Sequence, residues 1–161
     1  NPPKLTMLYA HEVPTFGSDT AFANQVLAYQ EISSGLQTTI NQLQGLHSAE
    51  DLADLYGKDS QKAPNAHHPV VRTHDVTGER ALYVCKAFTK RFLGWTNKES
   101  RPLLEHLFEQ STRIEFQFRH SWHKNDLVMW DNRSVLHFAV HDHADEPRRI
   151  HRLQVEGPKP V

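Results

Sequence analysis

The sequence predicts a mainly β domain decorated by helices, arranged as a sheet sandwich or jelly roll. Three observations predict it. A strand-like segment opens the chain and four more close it. A few amphipathic helical stretches lie between them. The second half is rich in hairpin signals. At 161 residues the chain is one domain's worth and can bury a real core.

The elements follow in order. Leu5 to Val13 reads as a strand ended by Pro14, and Thr15-Phe16-Gly17-Ser18-Asp19 is a turn by its Gly, Ser and Asp. Thr20-Ala21-Phe22-Ala23 is short and extended. Asn24 can cap a helix through Val26, Leu27 and Tyr29, broken at Ser33-Ser34-Gly35. Leu36, Ile40, Leu43 and Leu46 space as a second helix. Residues 47–66 are polar and read as a mobile connection with a short helix at Ala49–Tyr56. Segments 68–73 and 81–84 flank Asp75–Glu79 as a hairpin. Ser100 is the expected cap of a helix with Pro102 in its first turn, running through Leu103, Leu104, Leu107 and Phe108. Strands are expected at 114–122, 127–130, 134–140 and 148–155.

Composition excludes several classes. A net charge of −1 removes the electrostatic case for non-specific nucleic-acid binding. Hydrophobic residues at 38% and charged residues at 23% are polar for a globular domain, but apolar residues recur throughout, so disorder is not expected. No apolar run reaches the roughly 18 residues of a membrane span. Cys85 is the one cysteine, which excludes a disulfide framework and fits a reducing, cytoplasmic setting. Histidine is abundant, at 12 residues, so metal chemistry is open. The chain begins Asn1-Pro2-Pro3-Lys4, without Met or a signal-like segment, and opens almost at once on a strand. The expectation is that an N-terminal portion of the fold precedes it.

Period two places Val135, His137 and Ala139 on one face of their strand. His137 is then either a buried, backbone-satisfied histidine or a ligand in a cavity. On the last strand Arg148, Ile150 and Arg152 share a face, and guanidinium forks suit carboxylates, sulfonates and phosphates. Antiparallel pairing of 148–155 with 134–140 would open His137 and both arginines onto one cavity; the other reading is a solvated edge strand. His141, His143, His67, His68, His120 and His123 read as solvated, and Cys85 as an inert thiol. No glycine pattern supports nucleotide cradling. A zinc hydrolase ranks last, since the histidines lack ligand spacing.

Trp130-Asp131-Asn132-Arg133, then His137-Phe138-Ala139, Pro147-Arg148 and Arg152, resemble the C-terminal signature of the TauD/TfdA family. These are Fe(II)- and 2-oxoglutarate-dependent dioxygenases, with taurine dioxygenase and alkylsulfatase as examples. Gly17-Ser18-Asp19-Thr20-Ala21-Phe22 resembles the family's GGDT segment. Residues 68–74, Gly78 and 81–84 resemble its central hairpin, so the likeness runs along nearly the whole chain.

The resemblance implies a single double-stranded β-helix (jelly-roll) domain over 1–161, lacking its N-terminal portion. It implies that His137 is the distal histidine of the iron-binding triad. Arg148 and Thr20 would bind the far carboxylate of 2-oxoglutarate, Arg152 the sulfonate or sulfate of the substrate, and Phe88 would pack near that substrate. Trp130 would pack close to the iron. The implied activity is hydroxylation of a small anionic substrate with O2, releasing succinate and CO2 in sulfur metabolism. A homo-oligomer without nucleic-acid or membrane partners is expected. The alternatives are an ether-cleaving phenoxyalkanoate dioxygenase and a non-catalytic jelly-roll fragment that binds organic anions. The sequence also departs from the family. The His-x-Asp or His-x-Glu pair that completes the triad is expected just upstream of Asn1. His143-Ala144-Asp145 is a His-x-Asp in the wrong place. Gly17-Ser18 stands where the family has two glycines, and residues 47–66 are short for a substrate-covering loop.

Overall fold

Alternating side chains and turn residues give eleven strands, four α-helices and two short 3-10 turns among the described residues. The structure is a computed structural model and describes residues 1–55, 57, 59–143 and 146–161. In chain order the elements are β1 (Pro3–Glu12), β2 (Thr20–Asn24), α1 (Gln25–Gln30), α2 (Ser34–Ile40), β3 (Gln44–Ser48) and α3 (Glu50–Leu55). Then come β4 (Asn65–Pro69), β5 (Val71–Thr73), β6 (Arg80–Leu82), β7 (Thr89–Phe92) and α4 (Asn97–Ser111). The chain closes with β8 (Gln117–His120), β9 (Leu127–Asp131), β10 (Val135–Ala139) and β11 (Arg149–Glu156).

Two three-stranded antiparallel sheets form the sandwich, in the orders β11-β1-β9 and β10-β2-β8. Trp130 of β9 bridges them: its ring meets Phe22 of β2 at 5.1 Å and His137 of β10 at 4.7 Å between centroids. The predicted sandwich is present, but β11 pairs with β1 and not with β10. β10 and β11 therefore lie in different sheets and do not form a hairpin. The outer face of the first sheet exposes Leu127, Met129 and Leu153.

The long segment between β2 and β8 builds a second layer with its own core. Ala28, Tyr29, Ile32, Ile40, Val70, Leu82, Phe92, Leu104 and Leu107 meet there. On α4, Ser100, Leu104, Leu107 and Ser111 are buried, the spacing of one helical face. The Asn24 cap forms as predicted, its side chain accepting from the Val26 and Leu27 N–H groups.

Several boundaries differ from expectation. The helix predicted through Leu46 stops at Ile40, and Leu46 lies on β3 between β4 and β7. A few apolar residues at helical spacing did not outweigh sheet pairing. The 47–66 connection thus begins and ends in paired strands. Its helix is Glu50–Leu55, and Tyr56 is outside the described residues. Residues 68–73 are two strands in different sheets. The strand predicted from 114 starts as a 3-10 turn, Ile114–Phe116. Thr96, not Ser100, caps α4, through a capping box with Glu99, worth about 1 kcal/mol. Ser100 is instead buried, accepting from the Phe92 N–H at 3.0 Å and donating to the Thr96 carbonyl at 2.9 Å.

The β1–β2 turn closes against Asp142. Gly17 has φ +75°, and a Cβ there would lie 2.6 Å from Asp142 Oδ1 and 2.9 Å from its carbonyl oxygen. Gly17→Ala is therefore expected to destabilise the fold by about 2 kcal/mol, combining left-handed strain with overpacking. A thermal melt checks it; an unchanged Tm would contradict the close approach.

Candidate active site

Strand register gathers the polar residues on the inner faces. On β2, Thr20 and Phe22 alternate inward and pair with Ala139 and His137 of β10. On the other sheet Thr6 pairs with both Trp130 and Gln154, and Leu8 with Arg152. Arg152, Ile150 and Arg148 thus share the face of Trp130. Arg152 is near enough for its charge to act on the His137 imidazole, and Arg148, just before β11, reaches Ser18 ahead of β2, although β10 and β11 are not paired.

His137 is open to water at its edge but crowded by the tilted Trp130 ring. That crowding, and secondarily the charge of Arg152, pushes its pKa below the usual imidazole value. The ring is therefore neutral at pH 7, the form that can ligate a metal. Trp130 is itself fixed: its indole N–H donates to Asn132 Oδ1 at 2.9 Å, and Asn132 Nδ2 donates to Thr6 Oγ1 at 2.7 Å.

Thr20 is buried, and its Oγ1 accepts from the Trp122 indole at 3.0 Å. An indole N–H only donates, so the threonine proton is left to serve another acceptor. Arg148 is half-buried, and its Nε donates to Ser18 Oγ at 2.7 Å. Burial lowers its pKa, and no carboxylate pairs with it or with Arg152 among the described residues. Phe88 is 38% exposed in the turn before β7, where its carbonyl accepts from the Ser48 N–H. It is not among the aromatic contacts that join Phe22, Trp130 and His137.

The donor set falls short of an iron site. Among the described residues no three His, Cys, Asp or Glu side chains gather as metal ligands. His137 is one neutral imidazole, whereas iron(II) is suited by two histidines and a carboxylate. The His143-Ala144-Asp145 pair lies partly outside the described residues. No helix among the described residues is long and apolar enough to cross a membrane.

The family model described as "Taurine catabolism dioxygenase TauD, TfdA family" matches residues 1–154. The chain belongs to the TauD/TfdA family. It is 35% identical to an alpha-ketoglutarate-dependent sulfate ester dioxygenase from Pseudomonas putida, over 99% of this chain and 57% of that protein. It is 37% identical to an alpha-ketoglutarate-dependent 2,4-dichlorophenoxyacetate dioxygenase from Cupriavidus pinatubonensis, over 83% of this chain and 48% of that one. A taurine dioxygenase structure from Burkholderia xenovorans superposes with a TM-score of 0.89 at 36% identity, over 100% of this chain and 55% of that one. The chain thus spans about half the length of the relatives it matches. The jelly-roll assignment holds with the sheet orders above.

Other residues of the site were not read from the sequence. Asp131 accepts from Arg133 Nε and Nη2 at 2.8 and 2.6 Å, and lies 3.1 Å from His74 Nε2. Arg133 Nη1 also reaches Asp75 at 2.8 Å. The TauD-like Trp-Asp-Asn-Arg run was the available signal, but its partners lie on the β5–β6 hairpin. His67, His123 and His141 are exposed as expected, but His68, read as solvated, packs edge-on against His47 and Tyr83. Burial there, with His68 alongside, pushes His47 down to about 4.

Proposed function

We propose that this chain forms the co-substrate and substrate half of an iron(II)- and 2-oxoglutarate-dependent dioxygenase of the TauD/TfdA family. The observation that carries the reading is a pair of arginines without carboxylate partners among the described residues, on one inner face opposite a neutral His137. Guanidinium groups kept free of internal acids on a partly desolvated wall favour anionic ligands.

In this reading Arg148 and Thr20 hold the far carboxylate of 2-oxoglutarate, and Arg152 orients the anionic head of the substrate. Trp130 and Phe22 form an apolar wall that excludes water. Phe88 lines the substrate side from the second layer. His137 supplies one metal ligand, and the remaining pair comes from outside residues 1–161, so that these residues are one jelly-roll domain that works with an N-terminal portion. The iron centre so completed would supply the oxidant for hydroxylation. The substrate is a small anionic organic molecule, a sulfate ester or sulfonate, and the products include succinate and CO2. Similarity to a sulfate ester dioxygenase supports that substrate class. The apolar outer face of the first sheet supports a homo-oligomer.

The test is spectroscopic. Anaerobic addition of Fe(II) and then 2-oxoglutarate to the protein that carries these residues together with the remaining ligand pair is expected to give the visible charge-transfer band of a keto acid–iron chelate, lost in His137→Ala. No band in the wild type would overturn the dioxygenase reading. Succinate release across alkyl sulfates, sulfonates and phenoxyalkanoates then separates the substrate classes. Turnover of phenoxyalkanoates alone would favour the ether-cleaving reading.

A further inference from the structure

We propose that Ser18 is a positioning residue that fixes the Arg148 guanidinium for the far carboxylate of 2-oxoglutarate. The inference rests on the dicarboxylate reading above. Ser18 has φ +62°, a region that L side chains rarely adopt. The residue is 1% exposed, so it is not there to meet solvent. The corresponding position of the family segment is a glycine, which takes this conformation freely. A serine here adds strain and supplies one thing a glycine lacks, the Oγ.

That oxygen has one hydrogen-bond partner among the described residues, the Arg148 Nε at 2.7 Å. The turn is held from the other side by the Ser18 N–H donating to Asp142 Oδ1 at 2.7 Å. Asp142 is itself held by Arg119, which also bonds Asp19. Strained residues persist where the surroundings over-determine them, and such places are often functional. The Ser18 contact uses the Nε edge of the fork and fixes the plane of the guanidinium. The two Nη groups remain, the pair that grips a carboxylate with two parallel bonds. Two residues along, Thr20 offers its hydroxyl proton, so the 18–20 segment positions one donor group and supplies another.

The experiment is calorimetric titration of the full chain with 2-oxoglutarate and with succinate, paired with thermal melts. Ser18→Gly is expected to weaken both ligands 5- to 10-fold while leaving Tm unchanged or raised, because the glycine relieves the strained φ. Ser18→Ala keeps the strain and loses the acceptor, so it should weaken binding and lower Tm together. Binding by Ser18→Gly within twofold of wild type would overturn the proposal. So would a loss of binding that comes with a lower Tm in that variant, since that marks a merely structural part. Arg148→Ala separates the two levels: if it binds both ligands as well as wild type does, the dicarboxylate reading itself falls.

Discussion

Arg148→Ala is expected to weaken 2-oxoglutarate binding about 100-fold, or ~3 kcal/mol, from charge-assisted hydrogen bonds in a partly desolvated setting. The magnitude follows from what surrounds the residue. Arg148 is half-buried, and its pKa is lowered by burial. No carboxylate among the described residues offsets that cost, so a bound carboxylate gains a partner that needs no internal ion pair broken first. Arg148→Lys should recover about a tenth of the affinity. Lysine keeps the charge but has neither the planar fork nor an Nε to meet Ser18 Oγ. Arg152→Ala provides the contrast. Arg152 is exposed and lies on β11 opposite Leu8, four residues or two repeats of the pleat beyond Arg148, so 2-oxoglutarate affinity should stay within about twofold. Its effect should appear as a raised KM for an anionic substrate. Calorimetry with the co-substrate and initial rates with the substrate read the two separately. Equal losses of 2-oxoglutarate affinity in both variants would contradict the division of roles.

The grouping of these side chains was legible in the sequence because it depends on period two, whereas the division of roles between the two arginines came from the resemblance to the TauD/TfdA family. A strand fixes which side chains share a face, so Arg148 with Arg152, and His137 with Ala139, could be grouped without knowing any partner strand. The partner could not be read the same way. β11 pairs with β1, more than a hundred residues earlier, and so joins the other sheet. The grouping survives this difference since Trp130 lies between the two sheets, against Phe22 and His137. Local chemistry was misread where two signals competed. Pro102 drew the start of α4 toward Ser100, but the Thr96–Glu99 pair is the stronger signal and captured the helix. Ser18 carried no sequence signal beyond a substituted glycine. Its meaning lies in a positive φ and a contact 130 residues away. The Asp131 network was hidden for the same reason, since His74 and Asp75 reach it from another sheet.

That network should make the fold acid-sensitive in a defined window. Burial alone would raise the Asp131 carboxyl. Hydrogen bonds from the Arg133 side chain and backbone and from His74 outweigh it, and bring the group from 3.8 to about 2. A carboxyl with a depressed folded pKa binds protons more weakly folded than unfolded. Its contribution is therefore fully present above pH 4 and is lost as pH falls through 2. Arg133 is 9% exposed and shared with Asp75, so Arg133→Ala leaves two acids without their main partner and should cost about 3 kcal/mol at pH 7. In that variant burial is no longer outweighed, so the Asp131 carboxyl should move up and the acid transition with it. Asp131→Asn should flatten the pH dependence between 4 and 2. Denaturant unfolding of the three proteins across that range measures each slope, and a wild-type slope in Asp131→Asn would rule the network out as its source. The consequence for the site follows from position. Asp131 and Arg133 form the turn that ties Trp130 of β9 to β10, and His137 lies against Trp130. A weakened turn should therefore loosen His137 before the second-layer core, built on α1, α4 and the β5–β6 hairpin, gives way.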